Sequence, residues 1–227
     1  MRRISIRAVT FDVGGTLIEP WPSVGHIYAS VAARHGWPGL SVETLNCQFA
    51  GAWRALENFR YTRQEWAGLV DASFHGLIGT PPSGTFFPAL YEYFARPQAW
   101  RVFEDVVPVF EGLAAHKLKL GVISNWDERL IPLLRRLELH DYFDSVTVSC
   151  DVDFPKPSPI IFERATQALA LPAEAILHVG DSAAMDVEGA RGAGLHAVLL
   201  RRGAEPREGQ INCLCDIEAL LNSSMGA

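Results

Sequence analysis

Two hydrophobic rhythms divide this chain. Between residues 18 and 95, apolar and aromatic side chains recur at three- and four-residue spacings, as in Ile27, Val31, Leu45, Phe49, Trp53 and Leu56. That period predicts amphipathic helices, with no strand-like alternation among them. Pro38-Gly39, the Gly79-Thr80-Pro81-Pro82-Ser83-Gly84 run and Arg96-Pro97 cut the stretch into several helices. From about Val106 short apolar runs alternate with helical patterns. A helix ending near His116 leads to a strand over 120–124 and a helix over 128–137. A strand over 145–149, a helix over 158–169, a strand over 176–179, a helix over 184–192 and a strand over 196–200 follow. Strands alternating with helices predict an α/β fold with a parallel, doubly wound sheet. An earlier apolar run, Ala8-Val9-Thr10-Phe11, supplies the first strand. The expected organisation is an α/β core from residues 1–17 and 96–227, with a helical domain of residues 18–95 inserted after that strand. The tail from Arg201 is polar and then helical, with Ile217, Leu220 and Leu221 available to dock.

Composition narrows the partners. A net charge of -6 argues against a general nucleic-acid binder, which needs a basic face to neutralise phosphates. No apolar run reaches membrane-spanning length, and Met1-Arg2-Arg3 is followed by a short stretch that reads as the start of a strand rather than a leader. Cys47, Cys150, Cys213 and Cys215 form no disulfide framework, which makes a reducing cytoplasm the expected compartment. Cys213 and Cys215 read as alternating strand residues rather than metal ligands, since no second ligand pair accompanies them. The partner expected is a small molecule, and the chain itself is expected as a monomer or homodimer.

Candidate chemistry sits at the ends of the strands. Asp12 terminates the first run and is followed by Val13-Gly14-Gly15-Thr16-Leu17. A carboxylate there lies at the sheet's carboxyl edge, where open α/β folds bind ligands, and glycine allows close backbone approach. Ser124 and Asn125 end the 120–124 strand, so hydroxyl and amide would face a ligand; alternatively Asn125 or Asp127 caps the next helix. Lys156 lies between Pro155 and Pro157, apart from Lys117 and Lys119, the other lysines of a chain with 20 Lys and Arg. A compact ammonium on a backbone fixed by prolines suits neutralising a carboxylate or a phosphate. Asp181 and Asp186 flank a turn after the 176–179 strand; Asp186 alone could be a first-turn helix acid.

The ordered set of Asp12, the Ser124-Asn125 pair, Lys156-Pro157 and Gly180-Asp181-Ser182 with Asp186 resembles the haloacid dehalogenase-like hydrolases, over residues 7 to 200. The resemblance implies Asp12 as nucleophile, Lys156 as charge partner, Ser124 as the phosphoryl-binding group, with Asn125 as a candidate substrate contact, and a helical cap over the sheet edge. It also implies Mg²⁺ as cofactor, held by Asp12, the Gly14 carbonyl, Asp181 and Asp186. Gly14 departs from the pattern, for phosphatases of this family carry a second Asp there that protonates the leaving alcohol.

The expected function is therefore Mg²⁺-dependent hydrolysis of a small phosphorylated metabolite through an aspartyl-phosphate. Three accounts of Gly14 stay open: a leaving group that needs no acid, a substitute acid such as Glu19 or His26, or weak activity. A 2-haloacid dehalogenase is the alternative, since those enzymes also lack the second Asp; Arg54 would serve as its substrate-binding arginine. A degenerate binding module, with Trp21, Trp37, Trp53 and Trp66 forming a surface, is the third reading.

Overall fold

The computed structural model describes residues 6–203, 207 and 209–225. The chain forms two compact units: one takes the residues up to Ile18 and from Val102 onward, the other Glu19–Arg101.

The first is an α/β unit. Its strands are β1 (Ala8–Phe11), β4 (Lys119–Ser124), β5 (Ser145–Val148), β6 (Ile176–Gly180), β7 (His196–Leu200) and the short β8 (Gln210–Ile211). They form one sheet in the order β5-β4-β1-β6-β7-β8, every pairing parallel. Central strands of parallel sheets are covered on both faces, which explains why β1 and β6 read as continuous runs and are buried at every residue. Helices α5 (Val106–Ala115), α6 (Leu130–Arg136), α7 (Ser149–Val152), α8 (Pro159–Leu169), α9 (Gly189–Gly192) and α10 (Asp216–Met225) complete the unit. From β1 the chain builds outward through β4 and β5, then returns to β6 on the other side. The order therefore reverses between β1 and β6, and such a switch point leaves a crevice at the strands' carboxyl ends.

The second unit is helical: α1 (Val24–Arg34), α2 (Val42–Arg54), α3 (Arg63–Ser73) and α4 (Phe87–Tyr93). Ser23, Ser41 and Thr62 cap the first three, Thr62 in a reciprocal box with Glu65. Their apolar stripes meet in a core containing Tyr28, Leu45, Phe74, Phe86 and Leu90. The expected continuous helical pattern fails at one end. β2 (Ile18–Pro20) pairs with β3 (Trp100–Val102) in a two-stranded ribbon where the chain leaves and re-enters the α/β unit. That backbone pairing keeps residues 97–101 with the helices, so the division falls after 101 rather than at 95. Three-residue strands are too short for a readable alternation.

Two further expectations change. The helix over 184–192 begins as a π-helical turn, Ala183–Glu188, whose width shows in the Val187 N–H donating to the Ser182 carbonyl. Cys213 and Cys215 are not strand residues; they lie in the bend before α10 and are joined by a disulfide. Among the described residues no helix is long and apolar enough to cross a membrane.

Candidate active site

Asp12, Ser124 and Asp181 follow or end β1, β4 and β6, three adjacent strands, so parallel register alone brings them to one edge. Asp12 is anchored by its own N–H, which donates to the Val179 carbonyl at 2.9 Å. Its side chain is nearly buried, and Oδ1 accepts from Ser124 Oγ at 2.9 Å and from Lys156 Nζ at 2.7 Å. Among the described residues no donor bonds Oδ2. One oxygen is thus fixed and the other left for chemistry. Burial raises the Asp12 pKa and Asp186 adds to that, while Lys156 and Ser124 oppose them.

Lys156 occupies the middle of the site. Its ammonium donates to Asp12, to Asp186 Oδ1 at 2.6 Å and to the Ile123 carbonyl at 2.9 Å, which satisfies all three protons. Burial alone would lower its pKa, but the charges of Asp12 and Asp186 outweigh burial and hold the lysine charged. Its backbone is clamped by Asn125. The amide of Asn125 donates to the Lys156 carbonyl at 3.0 Å and accepts from the Lys156 N–H at 2.7 Å. Asn125, expected as a substrate contact, instead fixes the lysine. No helix begins at Asn125, for α6 starts at Leu130.

Asp186 reaches the site because the π-helical turn aims it back under β6, with its carboxyl group packed where a Cβ on Gly180 would stand. Oδ1 accepts from Lys156 and from His178 Nε2 at 3.2 Å, and Oδ2 from the Ser182 N–H at 2.9 Å. Burial would raise its pKa, but Lys156 and His178 hold the group well below the usual carboxylate range. His178 is fully buried, and burial keeps it neutral. With Nε2–H donating to Asp186, its Nδ1 must accept from the Thr10 hydroxyl, 3.0 Å away. Sequence reasoning had no means of seeing this support. His178 looks like any core residue of a buried strand until the sheet sets Thr10 beside it, in register on β1.

Gly15 shows how tightly the loop after Asp12 meets Asp181. It has φ 76°, and a Cβ there would come within 2.4 Å of Asp181 Oδ2. A side chain is excluded on both grounds. Asp12, Asp181 and Asp186 each offer a carboxylate oxygen, and the three lie within 4.8 Å of one another. Three carboxylates face one ammonium. Burial, then Asp12 and Asp186, push Asp181 up to about 7, although the residue itself is solvent-accessible at the edge of the site. A set of hard oxygen donors with this surplus of negative charge fits a divalent cation such as Mg²⁺. Asp186 retains only one unshared lone pair on Oδ2, so Asp12 and Asp181 are the better donors.

Three residues considered from sequence belong to the helical unit. Arg54 ends α2, where its Nε donates to the Ala50 carbonyl. Glu19 is ion-paired with Arg101, whose guanidinium also covers the Trp21 ring at 3.8 Å. His26 Nδ1 lies 2.8 Å from Ser23 Oγ at the start of α1. A second cluster, Asp105 with Cys213 and Cys215, does not offer a metal site in this state. The sulfurs are bonded to each other, and Asp105 accepts from Arg202 and from the Leu214 N–H.

The comparisons with known proteins agree with this geometry. The chain is 35% identical over 235 residues to haloacid dehalogenase-like hydrolase domain-containing protein 3 of Mus musculus, covering 97% of this chain and 92% of that protein. A glyceraldehyde 3-phosphate phosphatase of Methanopyrus kandleri is 35% identical over 115 residues, covering 46% of this chain and 47% of that protein. Among solved structures, the magnesium-bound HAD-hydrolase YfnB of Bacillus subtilis superposes with a TM-score of 0.73 at 23% identity, covering 96% of this chain and 99% of that one. The family model of haloacid dehalogenase-like hydrolases matches residues 6–194. By the family model's match and the identity to its relatives, the chain belongs to the haloacid dehalogenase-like hydrolases.

Proposed function

We propose that this protein is a Mg²⁺-dependent phosphohydrolase that works through a covalent intermediate on Asp12. The observation that carries the reading is the presence of Asp181 beside Asp12 and Asp186 with a single ammonium among them. Displacing a halide needs one carboxylate and no third acid at the nucleophile. Holding a phosphoryl group needs extra cationic charge, which Asp181 would recruit. A phosphatase among the relatives is consistent with this substrate class.

Asp12 Oδ2 attacks phosphorus, the bond to the leaving oxygen breaks, and that oxygen departs with the electron pair. Water then attacks phosphorus, the bond to Asp12 breaks, and phosphate leaves the regenerated carboxylate. Asp12, Asp181 and the Gly14 carbonyl, together with Asp186, are the groups that would hold Mg²⁺, which would supply charge neutralisation on the phosphoryl oxygens. Lys156 fixes the carboxylate's orientation through Oδ1 and offsets its charge as a phosphate approaches. Ser124 holds the same oxygen, so its role includes aiming the nucleophile as well as contacting the phosphoryl group. Residue 14 offers no proton donor. General acid help is typically worth ~10²–10⁴-fold, so leaving groups that depart unprotonated are favoured.

The test is a screen of aryl phosphates, acyl phosphates, alkyl phosphates and 2-haloacids, each with Mg²⁺ and with chelator. Phosphate release that chelator abolishes is expected. Chelator-resistant halide release would instead establish the dehalogenase reading, and inactivity on every class would support a binding module.

A further inference from the structure

We infer that Trp126 is a specificity-determining residue: its indole walls one side of the nucleophile loop and selects substrates with a flat apolar group next to the phosphoryl. The inference rests on the phosphohydrolase reading for the identity of the charged end. Two successive glycines carry it. A Cβ on Gly15 would strike Asp181 Oδ2, whereas a Cβ on Gly14 would meet Trp126 Cζ3 at 3.4 Å, ordinary van der Waals contact. The nucleophile loop is therefore set between an acidic wall on the β6 side and an aromatic wall on the β4 side.

That loop cannot shift easily. The Val13 carbonyl accepts from Leu17 at 2.8 Å and Ile18 at 3.1 Å, and the Gly15 N–H donates to the Ile18 carbonyl at 2.8 Å. Trp126 is pinned as well. Its N–H donates to Ser149 Oγ at 3.1 Å, and the same hydroxyl donates back to the Trp126 carbonyl at 3.0 Å. The preceding residue, Asn125, clamps Lys156. The Trp126 backbone is thus tied to the same frame as Asp12 and its lysine, and the residue is only partly buried. Cations and phosphoryl oxygens belong on the Asp181 side. The benzenoid edge offers neither proton nor charge, only a surface for a planar group to pack on, and such ring pairs prefer offset or edge-on contact. Gly14 adds no side chain against that edge, and its φ lies outside the left-handed region. Backbone conformation does not demand glycine at 14.

Binding of methylphosphonate and phenylphosphonate in Mg²⁺, followed by calorimetry, tests this without requiring turnover. Wild type should prefer the phenyl compound by roughly 3- to 10-fold. Trp126→Leu, which keeps apolar volume, should erase the preference while leaving methylphosphonate affinity within about twofold, and Trp126→Phe should retain most of it. Equal affinity of wild type for both compounds, or a preference that survives Trp126→Leu, overturns the inference and leaves the phosphohydrolase reading standing. Failure of wild type to bind either phosphonate overturns that reading and the inference with it.

Discussion

In the α/β unit the buried side chains include Asp12, Lys156, His178 and Asp186, together with Ser124 and Asp127; in the helical unit Ser73 is the only polar residue buried as a whole among the described residues. The helical unit instead packs rings: Tyr28 stacks on Phe74 at 5.4 Å, and Phe74 meets Phe86 edge-on at 5.4 Å. Both interiors are well filled, but they are held differently. Apolar packing tolerates local change at a graded cost, while a buried charge network fails when one member is removed, because the others lose their compensation. The contrast marks the α/β unit as the one that carries the candidate site.

The sharpest way to break that contrast is at Asp12. Asp12→Asn should abolish turnover, by at least ~10⁴-fold in kcat, since an amide cannot form the covalent ester. Steady-state assays on a pure preparation decide it, and residual activity of a few per cent would show that another group attacks.

Next in size comes stability. Lys156→Met leaves Asp12 and Asp186 facing each other in a buried site and should cost about 3–5 kcal/mol by denaturant unfolding. Phe74→Ala in the helical core should cost a similar ~3–5 kcal/mol through cavity formation. Their signatures differ. Lowering the pH, which protonates the stranded acids, should restore part of the first loss and none of the second.

Asp181 provides a pH test with a definite sign. Its folded-state pKa is raised to about 7 from 3.8, so between those values the folded state binds more protons than the unfolded one. Stability from this group therefore falls as pH rises from about 4 to 7 in metal-free protein. His178 acts oppositely below 6.5, because burial lowers its pKa, and Asp186 acts oppositely below 3.8. The comparison that isolates Asp181 is wild type against Asp181→Asn. The melting temperature of wild type should gain on the variant as pH drops from 7.5 to 5. At pH 7, Mg²⁺ at 100 times its Kd should stabilise wild type by about 2.7 kcal/mol and the variant much less. Identical melting curves with and without Mg²⁺ would remove the metal from the mechanism.

The smallest effect concerns Thr16 Oγ1, a buried hydroxyl in the loop after Asp12 without a hydrogen-bond partner among the described residues. Thr16→Val removes no hydrogen bond and should be neutral or stabilising by up to about 1 kcal/mol. A loss above that size would mean that the hydroxyl is satisfied in solution. Arg202, which donates to the Thr16 carbonyl and pairs with Asp105, holds this loop through the backbone and not through that side chain.

Much of this was legible along the chain. The strand runs, the alternation that makes a parallel sheet, and the placing of Asp12, Ser124, Lys156 and Asp181 at strand ends or the loops after them all follow from period and punctuation. Parallel register then obliges strand ends to meet. Gly15 was legible too, as a residue needing close approach, though not what it approaches. Other features depended on which side chain found which neighbour. Asn125 could have faced a ligand or capped a helix, and packing sent its amide to the Lys156 backbone. Asp186 required a wider helical turn to point inward, and His178 acquired Thr10 and Asp186 only across two strands and a turn. The ribbon of β2 and β3 and the indole beside Gly14 join segments far apart along the chain. By itself the sequence determined the local conformations and the set of reactive groups, because backbone preference and hydrophobic period are short-range. The tertiary structure alone decided how those groups are paired, since burial forces each charge and amide to take whatever partner the fold brings within reach.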